Sequence, residues 1–129
     1  MKSTNQNWHD IWSKKGVGYS DKSLSMYELL ALSGYDSGSD GISLKRWENW
    51  VNEIINELPV LTEISSWTDL GCGSGCFLFS LPKSYKKIGY DYSSSLIEIA
   101  TRYSKKENMS NEFHVADMSS PEFNFESSD

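Results

Sequence analysis

The chain has 129 residues, 38% of them hydrophobic and 23% charged, which bounds it to one domain built around a single core. Its formal net charge of -6 excludes a sequence-independent grip on nucleic acid, which needs clustered Lys and Arg to displace counterions from phosphates. No apolar run approaches the roughly 18 residues of a membrane span and Met1 to Asn7 lacks an apolar signal core, so the expectation is cytoplasmic residence with no membrane partner.

The first part of the chain, residues 1–60, reads as helices joined by loops. Trp8, Ile11 and Trp12 recur at i, i+3 and i+4, predicting a short helix with an aromatic face. Ser25-Met26-Tyr27-Glu28 has the form of a capping box opening a second helix, with Met26, Leu29 and Leu30 on one side. Residues 33–41 are dense in turn formers and predict a loop. Leu44, Trp47, Val51, Ile54, Ile55 and Leu58 then recur at helical spacing, and Pro59 marks the end of that helix.

From Ile64 the periodicity changes. Ile64 to Asp69 reads as a strand running into the turn Gly71-Cys72-Gly73-Ser74-Gly75, and Phe77 to Leu81 as a buried helix start cut short at Pro82. Lys87 to Asp91 reads as a second strand, and Ser93 to Ser104 as a helix with a capping box at Ser95 and Glu98. Phe113 to Asp117 reads as a third strand. Strands alternating with helices of these lengths predict βαβ units and a parallel sheet, hence an α/β fold in residues 61–129 behind a helical region in 1–60. Lys83, Lys86 and Lys87, like Lys105 and Lys106, read as solvated charges at element ends rather than a basic patch.

Cys72 and Cys76 are spaced C-x3-C inside a glycine turn, with no second pair and no nearby His. Two ligands do not make a structural zinc site, so the expected role is small semi-buried thiols lining a turn, with no metal.

The three predicted strand ends carry the chemistry. In an open parallel sheet, ligands bind beyond the carboxyl ends of the strands. Glycines at 71, 73 and 75 permit positive φ and close backbone approach, and the following helix would add N–H donors and a partial positive charge. Asp91 falls 20 residues after Gly71, the interval at which a carboxylate meets ribose hydroxyls. A dinucleotide fingerprint would be G-x-G-x-x-G/A; the chain has G-x-G-x-G followed by Cys76, which disfavours a pyrophosphate site without excluding it. Each aspartate also suits a structural role: Asp69 as a cap of turn and helix, Asp91 as a cap where Ser93 and Ser95 already supply one, Asp117 as an ordinary strand-to-loop residue. His114, inside the third strand pattern, reads as structural, and His9, between Trp8 and the following helix turn, as a weaker candidate for facing a substrate.

Asp69 to Gly75, Gly89 to Ala100 and Val115 to Met118 resemble the first, second and third motifs of the class I S-adenosylmethionine-dependent methyltransferases, over about 55 residues. The resemblance implies a Rossmann-like parallel sheet, S-adenosylmethionine as cofactor, and methyl transfer to an acceptor expected to be a small molecule. It also implies roles. The glycine turn, Gly71, Cys72, Gly73 and Gly75, would lie against the methionine part of the cofactor, and Asp69 would orient the turn or reach the cofactor's amino group through water. Asp91 would hold both ribose hydroxyls, Tyr92 would lie beside the adenine, Asp117 would bond the adenine amino group and Met118 would cover the ring. The helical region resembles the cap such enzymes place over the cofactor, where Trp8, Trp12, Tyr19 and Tyr35 would line the substrate side unless they simply pack the helices on the sheet. No residue presents itself as a general base.

A complete domain of that family resembles a seven-stranded sheet ordered 3-2-1-4-5-7-6, whereas Phe125 to Asp129 resembles only the approach to a fourth strand. The expectation is therefore a truncated product, or one half of a split or swapped assembly in which a second chain completes the sheet, not competent alone. The alternative readings are a non-catalytic remnant or partner subunit serving binding and assembly, and, more weakly, a nucleotide-binding dehydrogenase fragment.

Overall fold

The computed structural model describes residues 4–19, 23–35, 43–57 and 66–124. Most of the predicted loop at 33–41, the helix end at Leu58 and Pro59, the start of the first strand at Ile64 and the approach at Phe125 to Asp129 lie outside these residues. In chain order the elements are α1 (Thr4–Lys15), α2 (Met26–Leu32), α3 (Leu44–Glu57), β1 (Ser66–Leu70), α4 (Cys76–Ser80), β2 (Lys86–Asp91), α5 (Ser94–Lys106) and β3 (Asn111–Val115).

The strands form a three-stranded parallel sheet in the order β1-β2-β3. Asp69 lies beside Gly89, which lies beside Phe113, and Asp91 lies beside Val115. Gly89 is where the sheet admits the closest approach: a Cβ there would stand 2.7 Å from Cys72 Sγ and 2.9 Å from Phe113. Both helices of the βαβ units pack on that face. Phe79 of α4 meets Tyr103 of α5 at 4.6 Å between ring centroids and Phe113 of β3 at 5.5 Å.

The N-terminal helices join the same core. Leu29, Leu30, Trp47 and Val51 are buried in one cluster with Leu78, Phe79, Leu96, Ile99 and Ala100. The capping box forms as predicted: Glu28 N–H donates to Ser25 Oγ, and Ser25 N–H donates to Glu28 Oε2 at 2.7 Å. Trp47 Nε1 donates to Ser80 Oγ at 2.8 Å, tying α3 to α4. Helix α1 lies along α5, where Ser95 Oγ donates to the Ser13 carbonyl.

Four expectations need correction. The cap of α5 is Ser93, whose Oγ accepts from Leu96 N–H, rather than Ser95. The aromatic face of α1 is not wholly inward, since Trp8 is 61% exposed and Ile11 is exposed as well; periodicity reveals a stripe but not which neighbour covers it. Strand β3 ends at Val115, so Asp117 lies beyond it. Lys87 is buried, not solvated: two residues from Gly89, it shares the helix-covered face, and its Nζ donates to the Leu81 carbonyl at 3.0 Å. Burial, and then Lys83, holds that ammonium below the usual lysine range.

Candidate functional site

The carboxyl ends of the three strands converge on one edge, as the motif spacing requires. The turn after β1 is lashed to β2 there: the Gly71 and Cys72 N–H groups both donate to the Tyr90 carbonyl, at 2.8 and 3.0 Å. Gly71, Gly73 and Gly75 all have positive φ, +82°, +55° and +82°, so the turn follows a path that only glycine takes without strain. From α2, Ser33 and Leu29 secure its outer side. Ser74 N–H donates to Ser33 Oγ at 3.2 Å, and Ser74 Oγ donates to the Leu29 carbonyl at 2.7 Å.

Asp91 is the centre of this arrangement. Its Oδ2 accepts from Gly73 N–H at 3.0 Å and its Oδ1 from Ser93 N–H at 2.9 Å. A carboxylate offers about four acceptor positions, so two remain after the backbone is satisfied. The side chain borders a cavity of about 380 Å³, also bordered by Asp69, Gly71, Cys72, Gly73 and Tyr92. Helix α4 has only five residues and no side-chain cap, so the turn's own N–H groups, rather than a long helix dipole, define the polarity here.

Gly75, Asp117 and Met118, the other predicted site residues, stand off this cavity. Gly75 shapes the turn. Met118 remains adjacent, its Cε 4.0 Å from where a Gly71 Cβ would be. Asp117 is exposed and closes a turn on itself, accepting from Ser119 N–H at 3.0 Å and from Ser119 Oγ. Those hydrogen bonds, and to a lesser degree His9, hold its carboxyl below the usual range. The Ala116 N–H bond to the Asp91 carbonyl, 2.9 Å, keeps this loop at the same edge.

The wall opposite the turn is aromatic. Trp12 and Tyr35 line the cavity as anticipated, while Trp8 and Tyr19 do not. Trp50, Ser33 and Phe77 also line it. The spacing of Trp50 three residues after Trp47 could have flagged it; nothing local marks Ser33, whose partner is 41 residues away. His9 stacks on Tyr92 with centroids 4.4 Å apart, and Tyr92 Oη donates to the Trp8 carbonyl at 3.3 Å, so α1 reaches the Tyr92 end of the edge. His114 is in β3, stacked on Tyr90 and exposed, and does not line the cavity.

Burial first, and then the neighbouring Asp91, raises the Asp69 carboxyl to about 6 from 3.8. Burial likewise raises both thiols, Cys72 and Cys76, so neither is an activated nucleophile at neutral pH. Because the folded carboxyl of Asp69 holds its proton more tightly than the unfolded one, its contribution favours folding below pH about 4 and is lost as pH rises through about 6. Asp69→Asn is therefore expected to be more stable than the parent at pH 8, by about 1–3 kcal/mol, and to converge with it at pH 4. Urea unfolding across that window tests this; parallel pH profiles for the two proteins would contradict it.

Residues 68–129 match a family model described as a methyltransferase domain. No curated protein matches the chain. Among solved structures, the chain is similar to coclaurine N-methyltransferase bound to N-methylheliamine and SAH, with 18% identity and a TM-score of 0.56 over 95% of this chain and 40% of that one. It is also similar to an S-adenosylmethionine-dependent methyltransferase from Clostridium acetobutylicum ATCC 824, with 18% identity and a TM-score of 0.49 over 95% of this chain and 40% of that one. The chain thus spans 40% of the length of each solved relative. The three parallel strands share the fold of the coclaurine N-methyltransferase structure, and residues 68–129 are similar to a methyltransferase domain. What it contains of that fold, among the described residues, is the first three strands with a helical N-terminal region.

Proposed function

We propose that this chain is the cofactor-binding portion of an enzyme transferring a methyl group from S-adenosylmethionine to a small-molecule acceptor. The observation carrying this reading is Asp91, which gives one acceptor position to the glycine turn at Gly73 and one to Ser93, and keeps two for a ligand at the cavity edge. Two features support a fit to the cofactor: glycines in positive φ leave backbone open to close approach, and the Asp91 carboxylate borders the same cavity.

In this reading Gly71, Cys72 and Gly73 border the methionine part, Gly75 gives the turn its path, and Asp69 orients the turn or reaches the cofactor's amino group through water. Asp91 accepts from the ribose hydroxyls, Tyr92 lies beside the base, and Asp117 and Met118 approach the adenine from the loop after β3. When bound, the cofactor supplies an electrophilic methyl carbon whose bonding pair to sulfur leaves with the sulfur. The protein's part is to hold the acceptor atom in line and exclude water, which needs no metal. Residues 1–60 serve as the cap that closes over the cofactor.

A cavity of about 380 Å³ walled by rings suits a small molecule better than a polymer. Two unpaired thiols suit the reducing cytoplasm, and no helix of the described residues is long and apolar enough to cross a membrane.

Calorimetric titration with S-adenosylhomocysteine and, separately, with NAD tests the reading. Saturable binding of the first and none of the second is the expected result. Binding of NAD alone, or of neither, would overturn it.

A further inference from the structure

The aromatic wall is continuous. Trp12 packs its ring edge on Gly34, where a Cβ would stand 3.2 Å from Trp12 Cη2, and Tyr35 follows directly. Tyr35 then meets Trp50 nearly edge-on, with centroids 6.0 Å apart, and Trp47, buried behind both, fixes the pair at 4.8 and 5.4 Å. The carboxylate of Asp69 is close enough to Tyr35 to hold its hydroxyl above the ordinary range, after burial and Cys76. Among the described lining residues there is no Lys or Arg, while Asp69 and Asp91 both face the space. Trp12 already shows what such a ring attracts: Lys15 Nζ stands 5.3 Å from its centroid. Among the described residues, Tyr35 and Trp50 carry no cation of the protein's own.

Electron-rich rings beside carboxylates, with no cation of the protein's own on Tyr35 or Trp50 among the described residues, form an environment that favours a cation and penalises an anion. We propose that the part of the cavity walled by Trp12, Tyr35 and Trp50 and bordered by Asp69 selects an amine acceptor, a basic nitrogen borne on an apolar or aromatic body. This deepens the methyltransferase reading and rests on it. The wall also fits the direction in which charge moves. An amine bound as its ammonium first gives one proton to water, which frees its lone pair; as that pair forms the new N–C bond, the C–S bond breaks with its electrons kept by sulfur, so positive charge passes from sulfur to nitrogen. A primary or secondary amine then sheds one proton to water. Groups that stabilise positive charge at the nitrogen therefore act more strongly as transfer proceeds.

The test is binding, read by tryptophan fluorescence and calorimetry on the 129-residue chain saturated with S-adenosylhomocysteine. Three probes share one arylalkyl body: a trimethylammonium, its neutral tert-butyl isostere and the corresponding carboxylate. The ammonium is expected to bind about tenfold more tightly than the isostere, and the carboxylate more weakly than both. Trp50→Ala is expected to shrink the ammonium-to-isostere ratio about fivefold and Trp50→Phe to restore most of it, while Val17→Ala, at an exposed residue off the cavity, leaves the ratio unchanged. Circular dichroism melts verify that each variant is folded. Equal binding of ammonium and isostere, or tighter binding of the carboxylate, would overturn the inference while leaving the cofactor assignment intact. If S-adenosylhomocysteine itself does not bind, the methyltransferase reading fails instead, and the same ratio measured on the free chain still decides the preference for a cation.

Discussion

Asp91→Ala is expected to weaken S-adenosylhomocysteine binding at least about 100-fold, near 3 kcal/mol, and to lower folding stability at the same time. Two separate jobs converge on this carboxylate. Toward the ligand it offers the acceptor positions that two ribose hydroxyls would use, and a hydrogen bond to a charged group contributes about 1.5–3 kcal/mol. Toward the protein it satisfies the N–H groups of Gly73 and Ser93, at 3.0 and 2.9 Å. Asp91 is 7% exposed, so alanine would leave those donors in a largely dry site. A buried donor without a partner costs about 1–3 kcal/mol, which sets the expected loss in urea unfolding. The two readouts separate the roles. Unchanged affinity would remove the ribose assignment, and unchanged stability would show that the brace on the turn is dispensable.

Gly75→Ala is expected to destabilise the fold by about 2–4 kcal/mol, through two additive causes. The φ of +82° puts an alanine in the left-handed region, which costs about 1 kcal/mol or more. Its Cβ would also stand 2.9 Å from Phe79 Cε2 and 3.1 Å from Phe113, and forcing atoms into a packed core costs about 1–3 kcal/mol. Phe79 cannot easily yield, since Tyr103 and Phe113 pack against it. Gly18→Ala isolates the first cause, because φ there is +87° and nothing lies within 4 Å of the added atom. Denaturant unfolding should show Gly75→Ala costing distinctly more than Gly18→Ala. Equal costs would mean that the ring cluster relaxes freely and that the turn's path, rather than its packing, is what glycine serves.

The edge formed by the glycine turn and Asp91 was legible in the sequence because its requirements are local. A turn that must adopt positive φ shows as glycines, and a strand-end carboxylate shows as an acid after an apolar run. Asp91 and Gly73 meet in space because adjacent parallel strands bring their ends together. The aromatic wall was less legible. Trp50 lies on the flank of a helix whose inward stripe is carried by Trp47 and Val51, and only the fold decides that this flank borders a cavity. Ser33 supports Ser74 across 41 residues, a pairing no periodicity encodes. Lys87 was misread because a charge in a run of lysines suggests solvent, whereas the strand's two-residue alternation turns it under the helices. Trp8 erred the other way, an aromatic at helical spacing that faces out.

Helix α1 touches both halves of the cavity: its His9 and Trp8 engage Tyr92, while its Trp12 belongs to the aromatic wall. A helix moves as a rod, so peeling it from α5 would free both ends together. In the reading given above, dwell times of nucleoside and acceptor are thereby yoked to one event, and loosening α1 should hasten the escape of both by a similar factor.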